Sequence, residues 1–91
     1  MARQTRIDRL LERMEQAATD LGLEVRYENI AKPGYAGGLC RVKDTWVVIL
    51  NKGAPTGEQV EALASALATR DTEGVFLPPD VRDLVDQHKK E

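Results

Sequence analysis

Ninety-one residues, 42% of them apolar and 31% charged, describe one globular domain; a disordered chain or a two-domain protein is excluded. The formal charge of −2 is the wrong sign for a dedicated nucleic-acid binder. A single cysteine excludes an intrachain disulfide, and with a single histidine it makes no conventional zinc site unless several carboxylates converge.

The charge is uneven. Residues 1–43 carry eight Lys/Arg against six Asp/Glu, and residues 44–91 carry five against nine. Such a split suits a charged partner or head-to-tail contacts, although in most chains it has no specific meaning. Met-Ala-Arg-Gln-Thr runs into a charged helix without the apolar stretch of a signal peptide, and no segment approaches the ~18 apolar residues of a membrane span. The expected location is cytoplasmic, away from membranes.

In chain order, Ile7, Leu10, Leu11, Met14, Ala17, Ala18 and Leu21 recur at helical spacing and predict a helix over about 5–21. Thr5 and Asp8 suit its N-terminal cap, and Gly22 its left-handed end. Arg6, Arg9 and Arg13 fall opposite the apolar stripe. They are read either as a solvated face with weak ion pairs or as a weak nucleic-acid contact.

Leu23, Val25 and Tyr27 alternate with charged residues, which predicts a half-buried strand over about 23–28. A glycine-rich loop follows. Its Gly34-Tyr35-Ala36-Gly37-Gly38 run lacks the Gly-Lys-Ser/Thr ending of a phosphate loop. Two apolar runs around Lys43-Asp44 then predict a hairpin with strands over about 39–43 and 45–50. The second run is apolar at every position, so both of its faces should be covered in part. Together the three strands are expected to form a mainly antiparallel meander.

Thr56 and Gln59 have the spacing of a capping box before a helix over about 57–70, whose stripe is Val60, Leu63, Ala64 and Leu67. This should be the central packing helix. A last helix is predicted over about 79–88, started by Pro79 with Val81, Leu84 and Val85 inward. The fold class is therefore α+β, in the order α-β-β-β-α-α.

Little in the chain carries chemistry. Cys40 is the one nucleophile to weigh; Arg41 beside it could lower a thiol pKa, but adjacent strand residues point to opposite faces. His88 lies near the C-terminus, far from Cys40 in sequence. No catalytic, cofactor-binding or metal residue is assigned.

Gly37-Gly38-Leu39-Cys40-Arg41-Val42, Val47 to Lys52, Glu58-Gln59-Val60, Ala62 to Ala68 and Leu77-Pro78-Pro79-Asp80-Val81-Arg82 resemble a small bacterial family of uncharacterised proteins, over about residues 20–86. The resemblance implies no activity. A strand ending Ile49-Leu50-Asn51, a polar loop and a helix beginning near Gln59 also resemble the core of zincin-like metallopeptidases. There the helix carries His-Glu-x-x-His; here the corresponding positions are Ser65, Ala66 and Thr69, which supply neither ligands nor a base. That likeness implies a zincin-shaped scaffold without metal or protease activity.

The expected function is a non-catalytic protein–protein interaction module or small adaptor that self-associates. The alternative is a cysteine-dependent enzyme or redox sensor using Cys40, and the third reading is nucleic-acid binding through the N-terminal arginines. Candidate interaction residues are Gly37, Gly38, Cys40, Arg41, Trp46 and Arg82. The partner expected is a protein or a second copy of the chain.

Overall fold

The computed structural model describes residues 5–90. Helix α1 (Arg6–Asp20) is followed by strands β1 (Leu23–Glu28), β2 (Gly37–Val42) and β3 (Thr45–Asn51), then by helices α2 (Thr56–Leu67) and α3 (Pro79–Lys89). The α+β class and its α-β-β-β-α-α order are those read from the sequence.

Helix α1 begins with a complete capping box. The Thr5 side chain accepts from the Asp8 N–H, and the Asp8 carboxylate accepts from the Thr5 N–H. It ends where the Leu21 N–H reaches the Ala17 carbonyl and Gly22 takes φ +82°, a conformation that costs glycine little. Helix α2 differs from expectation. Thr56 lies inside the helix and caps nothing, the N-cap is Pro55 without a side-chain bond, and Gln59 points instead to the Asn51 carbonyl at 2.8 Å. A buried glutamine finds a better acceptor in the strand end than in its own first turn.

The sheet departs from a meander. Its order is β1-β3-β2: β2 and β3 form the antiparallel hairpin around Lys43-Asp44, whereas β1 pairs with β3 in parallel. The sheet is therefore mixed, and β3 is central. This suits its composition, because an all-apolar strand needs neighbours on both sides.

Opposed residues share a face, so Leu23, Val25, Tyr27, Leu39, Val48 and Leu50 lie together. They meet the helices there, in a core with Leu11, Met14, Val60, Leu63, Leu67, Leu77, Val81 and Val85. Helix α2 touches both β2 and β3, α1 covers β1, and α3 packs on the other two helices. The opposite face carries Glu24, Arg26 and Glu28 from β1, Val47, Ile49 and Asn51 from β3, and Gly38, Cys40 and Val42 from β2. No described helix covers it. Val47 is nevertheless fully buried and Ile49 half-buried, as the apolar run required. No described helix is long and apolar enough to cross a membrane.

Candidate functional site

The sequence-selected residues separate into two groups. Gly37 and Gly38 serve geometry. A Cβ on Gly37 would sit 2.7 Å from the Ile49 carbonyl oxygen, and one on Gly38 would meet the Tyr35 hydroxyl at 2.6 Å. The glycine pair lets β2 close onto β3 and lets the Tyr35 side chain lie against the strand. It binds nothing by itself.

Arg41 and Trp46 form a surface. They are opposed in the β2–β3 register, near the hairpin turn where the helices no longer cover the sheet. Trp46 keeps 37% of its surface exposed, against complete burial of its neighbours Val47 and Val48. Two guanidinium groups flank its indole: Arg70 at 4.8 Å from the ring centroid and Arg41 at 5.8 Å. Arg41 also faces Asp44 at 3.7 Å. The Arg70 Nε is buried and donates to no group among the described residues. Arginine stacked on tryptophan is worth roughly 0.5–1 kcal/mol where solvent reaches it and holds both side chains in place. Arg70 was missed in the sequence because it stands beyond α2, and only tertiary packing brings it to Trp46.

Cys40 lies half-buried on the face away from the helices, opposite Val47. His88 belongs to the helix layer, where its ring nitrogen lies 2.9 Å from the Glu61 carboxylate. The sheet separates thiol from imidazole, so the structure does not assemble a Cys/His pair. Among the described residues, no three His, Cys, Asp or Glu are grouped to hold a metal ion. At the positions compared with the zincin motif, Ser65 and Thr69 are exposed and Ala66 is buried. The Thr69 hydroxyl is spent on the Ala66 carbonyl at 2.6 Å.

The N-terminal arginines are not a separate polar face. Arg6, Arg9 and Arg13 line a shallow depression of about 480 Å³ together with Ile7, Leu10 and Asp80. Arg13 is paired with Asp80 of α3, and its guanidinium holds the Asp80 carboxyl below the usual carboxylate range. Arg82 lines a different depression, with Asp71, Phe76, Asp86 and Lys89. Phe76 is 80% exposed there, a feature invisible to periodicity because it falls in the irregular segment between α2 and α3.

A buried polar network lies at the C-terminal end of β3. Asn51 is buried; its Oδ1 accepts from Ile30 N (3.3 Å) and Gly53 N (3.0 Å), and its Nδ2 donates to Ile30 O (3.2 Å) and Tyr35 O (2.7 Å). A depression of about 630 Å³ opens beside it between the glycine-rich loop and the start of α2. Every polar atom of the amide is already satisfied within the chain, so Asn51 acts as a clasp for the loop. Comparison with protein-family models, curated proteins and solved structures found no match.

Proposed function

We propose that this chain is a non-catalytic protein–protein interaction module or small adaptor that also associates with itself. The observation that carries the reading is Trp46, left part-exposed at the end of the central strand and held between Arg41 and Arg70. Tryptophan and arginine are the residue types that dominate binding energy at protein interfaces, chiefly when their neighbours already fix their conformation. Arg41, Lys43 and Arg70 give this corner a positive balance against Asp44, which favours an acidic partner surface.

The test is retention of a partner from cell extract by the immobilised full chain, repeated with Trp46→Ala. A partner identified with the wild type and lost with the variant, at unchanged circular dichroism and melting, is the expected result. A chain that retains nothing and stays strictly monomeric at high micromolar concentration would overturn the reading.

A further inference from the structure

The sheet has two outer strands, and their chemistry differs. Strand β2 contributes Gly37, Gly38, Leu39, Cys40, Arg41 and Val42, with Arg41 as its one charge and Tyr35 lying against Gly38. Strand β1 contributes Leu23-Glu24-Val25-Arg26-Tyr27-Glu28, and on the face away from the helices its charges alternate in sign. Glu24 and Arg26 are paired to each other within the strand, yet their side chains remain 44% and 46% exposed. Glu28 also acts electrostatically on Arg26. On its inner side β1 is laddered to β3, and at its end the Glu28 carbonyl accepts the Lys52 N–H. The outer side is the sheet edge.

We propose that β1 is a self-recognition edge, pairing antiparallel with β1 of a second copy in one register. The proposal rests on the self-association in the reading above and names the surface responsible. A two-fold axis normal to the sheet joins two antiparallel edges and carries the helix-free face of one copy onto that of the other. Charged residues must then oppose charged residues, which leaves few registers.

Centring on Val25 sets Glu24 against the partner's Arg26, Val25 against the partner's Val25, and Arg26 against the partner's Glu24. On the helix side, the same register sets Leu23 against the partner's Tyr27. Centring on Arg26 would oppose two arginines and set Glu24 against the partner's Glu28, which is repulsive at every charged pair. Centring on Tyr27 satisfies Arg26 and Glu28 but runs off the end of the strand. Of the two charge-complementary registers, the first uses more of the strand, and it joins two intrastrand pairs into a ring of four alternating charges. Edge strands more often carry charges to prevent pairing, but a single sign does that best; this pattern is complementary to itself.

Equilibrium sedimentation of the full chain tests the proposal, with four samples. Wild type should dimerise reversibly. Glu24→Arg and Arg26→Glu, each alone, should weaken the dimer by about tenfold or more, because each opposes like charges twice. An equimolar mixture of those two variants should dimerise again, since every facing pair is then opposite in sign. The double variant Glu24→Arg/Arg26→Glu should recover self-association yet exchange poorly with labelled wild type. Loss in both single variants with recovery in their mixture supports the edge and the register together. A wild-type dimer indifferent to both single variants would overturn the β1 edge and leave the Trp46 reading standing. Loss with Arg26→Glu but not Glu24→Arg would overturn the Val25-centred register. A wild type monomeric throughout would overturn the proposal, while retention of a partner through Trp46 would still judge the broader reading.

Discussion

The side-chain amide of Asn51 and the backbone of Ile30 exchange two hydrogen bonds, Ile30 N to Oδ1 at 3.3 Å and Nδ2 to Ile30 O at 3.2 Å. A side chain at the end of the central strand thus acts as the missing strand for a loop that has none. The same amide holds Tyr35 and Gly53, and the Asn51 backbone carbonyl accepts from the Gln59 side chain. Replacing Asn51 by Ala should cost about 2–3 kcal/mol, since two donors and two acceptors lose a shared partner in a part-buried site. Urea unfolding of the two proteins checks this; the midpoint should fall with the denaturant slope unchanged.

The two neighbouring glycines should respond differently to alanine. At Gly37 the new methyl meets the Ile49 carbonyl at 2.7 Å and Leu50 Cδ2 at 2.8 Å, and the central strand backbone cannot yield. At Gly38 it meets the Tyr35 hydroxyl, the far end of a side chain that can swing away. Gly37→Ala should therefore destabilise by about 2–3 kcal/mol and Gly38→Ala by under about 1. Equal losses in chemical denaturation would contradict the difference.

Tyr27 predicts a loss of stability in alkali. Burial and the hydrogen bond from its hydroxyl to the Glu15 carboxylate push the phenol pKa well above its ordinary value of 10.0. The unfolded chain then releases this proton at lower pH than the folded one. The stabilisation is complete below pH 10 and declines as the pH rises from there toward the folded pKa. Tyr27→Phe should remove that part of the alkaline dependence, so the stability gap between the two proteins should narrow between pH 9 and 11.5.

The Arg13–Asp80 pair joins α1 to α3 at the surface, with side chains 41% and 46% exposed. Asp80→Asn should cost about 0.2–1 kcal/mol at neutral pH and low salt. Because the folded carboxyl is depressed below its ordinary value of 3.8, this contribution is present above that pH and is lost as the pH falls through the folded pKa. The gap between the melting temperatures of the two proteins should be larger at pH 7 than at pH 2.5, and added salt should shrink the neutral-pH gap.

Elements with a local cause were legible in the sequence. Helix α1 carries its cap, its stripe and its stop within eighteen residues, from Thr5 to Gly22, and the hairpin has two apolar runs around a polar pair. The parallel ladder was not legible, because a strand's own residues do not say which neighbour it joins. Here β3 is hydrogen-bonded on both edges, where its apolar side chains are best shielded, and that choice is made across the whole sheet. The candidate surface was half legible. Arg41 and Trp46 face each other in adjacent strands, but Arg70 reaches them from beyond α2 and Phe76 is exposed by a segment with no period. Gln59 misled because its cap spacing was real while its acceptor lay in another element.

The parallel union of β1 with β3 also orders events in time. The hairpin closes over two residues, whereas each rung of the parallel ladder spans 23 residues, as in Leu23 with Trp46. Closing the longer loop loses more chain entropy before any contact offsets it, so β2 and β3 should acquire amide protection first and β1 should join afterwards. Pulse-labelled hydrogen exchange during refolding would show this, and simultaneous protection of all three strands would refute it. The strand that docks last should also be the first to lift away, so transient opening of the native molecule would begin at β1 and leave the hairpin closed.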